Sequence, residues 1–123
     1  MIATLTKASY VLAVPDLKAS AAFYRDILGF TVRDMAPGWL FFERDACRIM
    51  AGECPDALPP KDLGDHSYFA YLQVEGIDAF HETVRAKGAT ILKPLRNEPW
   101  GMREFSVRTA DGHRIMFGTE VRA

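Results

Sequence analysis

The pentapeptide Arg48-Ile49-Met50-Ala51-Gly52 returns sixty-six residues later as Arg114-Ile115-Met116-Phe117-Gly118. The echo extends backward. Val14-Pro15-Asp16-Leu17 aligns with Val74-Glu75-Gly76-Ile77 at an offset of sixty, and Gly29 aligns with Gly88 at fifty-nine. A repeat of about half the chain means two copies of one supersecondary unit, neither of which can bury its apolar face alone. The offset then grows, so the second copy carries about seven extra residues, placed around Asn97-Glu98-Pro99-Trp100-Gly101-Met102.

With 123 residues, 49% of them hydrophobic, the chain suits one domain with a real core. Cys47 and Cys54 have no second pair or histidine cluster near them. They read as reduced thiols of a cytoplasmic protein, with neither a disulfide framework nor a zinc site. A net charge of -1 without a Lys/Arg run lacks the footprint of a nucleic-acid binder. No window approaches the roughly 20 apolar residues of a membrane span, and the N-terminus does not read as a signal peptide. These features predict a small-molecule ligand, no nucleic-acid partner and no membrane.

Ala8 to Val14 alternates as a strand that Pro15 ends, and Asp16 caps a predicted helix over 17–28 with Leu17, Ala21, Tyr24 and Leu28 on one stripe. Gly29 stops it. Strands follow near 30–33, 39–44 and 47–51. Residues 53–66, rich in Pro and Asp, form a linker. The second copy repeats the order, with a strand over 67–74, a helix over 77–87 stopped by Gly88, and strands near 90–95, 103–109 and 114–118. The expected fold is α+β: two tandem βαβββ modules, residues 1–52 and 67–123, forming a curved mixed sheet around a cleft with one helix per module on its back. Period two sends Tyr10, Leu12, Val14 and Ala70, Leu72, Val74 toward the helices. Ser9, Val11, Ala13 and Phe69, Tyr71, Gln73 then face the hollow, joined by Arg48, Met50, Arg114 and Met116. Aromatics, methionines and a few polar groups on a concave sheet describe a binding site.

The order of elements, together with Val14-Pro15-Asp16-Leu17-Lys18-Ala19-Ser20, Phe23-Tyr24, Leu28-Gly29-Phe30 and Ala110-Asp111-Gly112-His113, resembles the vicinal oxygen chelate superfamily. That group includes lactoylglutathione lyases, extradiol dioxygenases, fosfomycin-resistance enzymes and bleomycin-resistance proteins. Glu98-Pro99-Trp100-Gly101-Met102-Arg103-Glu104-Phe105 is similar to the segment before the last hairpin in the bleomycin-resistance branch. Metal-using members place His, Gln or Glu on the first and last strands of each copy. The resemblance puts Ser9, Met50, Phe69 and Met116 there. None is a ligand that a hard or borderline divalent ion favours, so the expectation is no metal, no cofactor and no catalytic residue. The resemblance also implies a homodimer whose clefts take residues from both chains.

His66, His81 and His113 lie in different elements, and their spacing yields no nucleophile triad. His81 reads as a helix-surface residue and His113 as a turn residue. Trp100 is either a core anchor or a stacking surface, while Trp39 and Phe41 are assigned to the hollow over Leu40 and Phe42. Glu104 facing the cleft would attract a cation, whereas Arg48 and Arg114 suit an anionic ligand. The reading is thus a metal-independent binding protein, with antibiotic sequestration as its mechanism, using Ser9, Trp39, Phe41, Met50, Phe69, Tyr71, Trp100, Glu104 and Met116. The alternative is a lyase, isomerase or dioxygenase with a displaced metal site using His66, His113 or Glu104.

Overall fold

Asp16 begins the first helix as its sequence demands. In a computed structural model, which describes residues 2–64 and 67–121, its Oδ1 accepts hydrogen bonds from the amides of Lys18 and Ala19 at 3.0 and 3.4 Å. The strand before it, β1 (Tyr10–Val14), feeds α1 (Leu17–Ala22), and β2 (Thr31–Ala36), β3 (Trp39–Arg44) and β4 (Cys47–Glu53) follow. The helix does not stay α-helical to Leu28. It widens into a π-helical turn over Phe23–Ile27, with the Leu28 amide bonded to the Phe23 carbonyl. The wide turn lets two successive aromatics, Phe23 and Tyr24, both reach the core. Tyr24 stacks on Phe42 at 4.6 Å and meets the edge of Phe30 at 5.4 Å.

The second module repeats this plan as β5 (Tyr68–Gln73), α2 (Ile77–Ala86), β6 (Thr90–Asn97), β7 (Met102–Arg108) and β8 (Arg114–Glu120). Both helices end at a left-handed glycine, Gly29 and Gly88, where a side chain would be strained. The strands form two four-stranded mixed sheets, ordered β1-β4-β3-β2 and β5-β8-β7-β6. In each, the first strand runs parallel to the last. The inserted residues lengthen the β6-β7 hairpin, whose strands are joined by Glu98–Gly101 with Gly101 at φ +88°.

One apolar core serves both sheets. Leu12, Val14, Phe42 and Ile49 from the first join Ala70, Phe105, Val107, Ile115 and Phe117 from the second, with Tyr24 and Leu28 after β1 and Ile77 and Val84 from α2. Beside the shared core, side-chain contacts tie the modules together. Ser20 Oγ donates to Asp111 Oδ2 at 2.8 Å in a buried bond, Tyr10 meets Phe69 edge-on at 5.8 Å, and Arg44, held by the Leu28 carbonyl of its own module, lies over the Phe80 ring of the second. Faces opposite this core point away from it, and they carry the exposed Val11, Trp39 and Tyr71.

Two expectations fail locally. Strand β1 starts at Tyr10, leaving Ser9 just outside the ladder. In β5 a bulge between Tyr68 and Ala70 breaks the strict alternation. Phe69 consequently turns inward against Tyr10 and the His113 ring, and Tyr68 takes the open face. No helix among the described residues is long and apolar enough to cross a membrane.

Substitution separates packing from polarity at the Tyr24–Phe42 stack. Phe42→Ala should cost about 3–5 kcal/mol in urea unfolding, as a fully buried aromatic does. Tyr24→Phe should leave stability unchanged or raise it by up to about 1 kcal/mol, because the buried Tyr24 hydroxyl has no hydrogen-bond partner.

Candidate functional site

The cross-strand register makes the two open faces directly comparable. On the first, Met50 is flanked by Val11 and Phe41, and Gly52 by Ala13 and Trp39. On the second, Met116 is flanked by Tyr71 and Ser106, and Gly118 by Gln73 and Glu104. Both glycines are places of close approach. A Cβ on Gly52 would lie 2.7 Å from the Trp39 ring, and one on Gly118 would meet the Tyr71 hydroxyl at 1.9 Å. Each glycine therefore seats an aromatic flat on its sheet.

Glu104 organises the second face. It is only 3% exposed. Its Oε1 accepts from Lys93 Nζ at 2.6 Å, and its Oε2 accepts from Tyr71 Oη at 2.7 Å and from Trp100 Nε1 at 3.1 Å. Lys93 Nζ also pairs with Glu98 Oε2 at 3.0 Å and lies 5.1 Å from the centre of the Trp100 ring. The Glu104 carboxylate thus clamps two aromatic side chains from two different elements. Burial pushes its pKa up, but the bonds from Lys93, Tyr71 and Trp100 outweigh burial and hold the carboxyl below its ordinary range. Burial and the Glu104 contact together raise the Tyr71 phenol strongly, keeping it a proton donor. Trp100 itself remains 62% exposed, so it is no core anchor.

Of the predicted site residues, Tyr71, Trp100, Glu104 and Met116 come together on the second face, and Trp39, Phe41 and Met50 on the first. Ser9 joins neither group, and Phe69, turned toward the core by the bulge, is half-buried against it while still lining the hollow of the second face. Phe41 does not present a free ring. It is 8% exposed, with the Arg33 and Arg48 guanidiniums over it at 4.4 and 3.8 Å. Glu104 is likewise no free attractor of cations, since Lys93 already neutralises it. Residues that the sequence reading passed over are Tyr68, Lys93, Glu98 and Ser106. Period two on β6 and β7 offered a signal for Lys93 and Ser106, but the bulge hid Tyr68. A hollow of about 360 Å³ lies over this face, lined by Tyr68, Phe69, Ala70, Tyr71 and Met116. A larger one of about 730 Å³ lies between α1 and the β2-β3 hairpin and contains only Trp39 of the predicted set.

Metal-ligating chemistry has a poor donor set here. Met50 and Met116 stand on the open faces, Ser9 lies off the ladder, and Phe69, half-buried against the core, has no ligating atom. Among the described residues no group of three or more His, Cys, Asp or Glu side chains is placed to hold an ion. His113 closes the β7-β8 hairpin turn, its carbonyl accepting from the Thr109 amide at 2.9 Å, and its ring is buried against Phe69, where burial lowers its pKa. His81 packs edge-on against Phe105 at 4.9 Å. His66 lies outside the described residues.

The model of the Glyoxalase/Bleomycin resistance protein/Dioxygenase superfamily matches residues 7–117. The chain belongs to this superfamily. A bleomycin resistance protein of Geobacillus stearothermophilus is 30% identical over 127 aligned residues, covering 91% of this chain and 95% of that protein. One from Staphylococcus aureus matches to the same extent. The fold is shared with the bleomycin-binding protein of bleomycin-producing Streptomyces verticillus, solved with copper(II)-bleomycin, at a TM-score of 0.74 and 23% identity over 99% of this chain and 100% of that one. A superfamily protein from Nocardioides superposes at 0.76 with 21% identity over 100% of this chain and 88% of its own.

Acid should expose the dependence on Glu104. A carboxyl with a lowered folded-state pKa contributes stability fully present above its ordinary value of 4.5, and lost as pH falls through the lower folded value. Glu104→Gln should therefore lose roughly 1–3 kcal/mol at neutral pH, the worth of a buried charged hydrogen-bond acceptor. The gap from the wild type should close below pH 4.5 in urea titrations.

Proposed function

We propose that this protein binds and sequesters a small aromatic molecule on its open sheet faces, without a metal ion of its own and without turning the guest over. The observation that carries this reading is the clamped pair Tyr71 and Trp100. Both rings remain exposed, at 43% and 62%, yet both are fixed by hydrogen bonds to one buried carboxylate. Rings held in place before a guest arrives lose little freedom on binding, which is what a stacking surface requires. The donor set at Ser9, Met50, Phe69 and Met116 supports binding over Lewis-acid chemistry. Kinship with bleomycin resistance proteins supports sequestration as the mechanism, and antibiotics as one class of guest.

A homodimer acting in the cytoplasm fits the same reading. Val11, Trp39, Tyr71 and Trp100 leave apolar surface open on both sheets, and a second copy laid against these faces would turn shallow hollows into enclosed clefts. Sedimentation should then give twice the chain mass at micromolar concentration; a monomer would mean that each open face binds unaided.

The experiment is a fluorescence titration with N-phenyl-1-naphthylamine, an uncharged aromatic probe, with bleomycin titrated alongside to test that drug itself. Saturable binding of the probe is expected. Trp100→Ala should weaken it about three- to tenfold, the worth of one aromatic stacking contact. The melting temperature of that variant should stay within about 3 °C, because an exposed ring contributes little packing. A wild type that does not bind, or a variant that binds unchanged, would sink the proposal.

A further inference from the structure

The two modules differ in one charge at an equivalent position. In the first, Glu43 stands directly across from Arg48, and their side chains pair at 3.8 Å. In the second, the residue across from Arg114 is Arg108. Two arginines directly opposite on antiparallel strands place their Cβ atoms about 4.5–5.5 Å apart, an arrangement that like charge disfavours. Neither takes part in a salt bridge among the described residues. Arg108 Nη1 donates to the Gly112 carbonyl at 3.1 Å, which holds it in place. The Arg114 guanidinium carbon lies 5.9 Å from the Tyr68 ring centre, and its Nε is buried without a hydrogen-bond partner. The Arg48 Nε is orphaned in the same way, but Arg48 has Glu43 beside it, whereas the Arg108–Arg114 pair meets no carboxylate among the described residues.

The pair sits at one end of the candidate face. Met116 follows Arg114 on the same side of β8, Ser106 follows Arg108 on β7, and the Tyr68 hydroxyl bonds Ser106 Oγ at 3.1 Å. Beyond them lies Tyr71. From Arg114 to Gly118 the face spans about 13 Å, at 3.3 Å per strand residue. At the far end Glu104 is already paired with Lys93, so the charge left unmatched on this face is positive. We infer that the guest is an aromatic anion, whose carboxylate, sulfonate or phosphate-type group is held by Arg108 and Arg114 while its rings lie over Tyr68, Met116 and Tyr71. Guanidinium forks suit such planar or tetrahedral oxyanions. The inference rests on the binding function proposed above and adds the charge of the ligand.

The test compares two probes of one frame, N-phenyl-1-naphthylamine and 8-anilinonaphthalene-1-sulfonate, which adds only the sulfonate. Arg114→Gln and Arg108→Gln should each weaken the sulfonate about tenfold or more and the neutral probe less than about twofold. Raising salt from about 50 to 500 mM should weaken the sulfonate alone, because screening acts on the charge. Arg114→Lys, which keeps the charge but not the fork, should fall between, and it serves if the glutamine variant melts early. Equal losses for both probes, or none for the sulfonate, would overturn the anion site. If neither probe binds the wild type, the binding function itself fails. If Arg114→Gln instead shifts the sedimentation equilibrium toward monomer and leaves the sulfonate bound, the arginines meet a carboxylate of a second copy and the inference falls.

Discussion

Burial of the helix-facing residues of both sheets in a single core is the constraint on which the rest of this structure depends. Tyr24, Phe42, Phe105 and Ile115 are almost wholly excluded from water, and the alternation of a strand then commits the residues between them to the opposite faces. A one-residue slip would exchange the two sets and put Arg48 or Arg114 into the apolar interior, at a cost far above any local gain. The open faces are therefore fixed by what lies beneath them. The Ser20–Asp111 bond and the Arg44–Phe80 contact lock the modules against each other across the same interior.

On that common scaffold the two modules have come to carry different chemistry. Positions equivalent by register hold Trp39 in one and Glu104 in the other, Phe41 against Ser106, and Glu43 against Arg108. The first face closes on itself, with arginines laid over Phe41 and paired to Glu43. The second stays open. Its carboxylate is consumed by Lys93 and two aromatic donors, and what it offers outward is two fixed rings and two guanidiniums that meet no carboxylate among the described residues. The longer β6-β7 hairpin makes this possible, because Lys93, Glu98 and Trp100 all belong to it or to its turn.

The sequence by itself determined the repeat, the order of elements, the helix caps and which strand residues meet the helices, because all of these follow from short-range periodicity and local hydrogen bonding. It also marked the inserted segment around Trp100 as the place where the copies differ. Tertiary structure decided the rest. Strict alternation cannot reveal that the β5 bulge sends Phe69 inward and Tyr68 outward, since a bulge is settled by the neighbouring strand and core. Nor can spacing reveal that Lys93, eleven residues before Glu104, reaches its carboxylate and cancels the charge that made it look like a cation trap. Pairing of charges depends on strand register and side-chain reach, and these exist only once the sheet has formed.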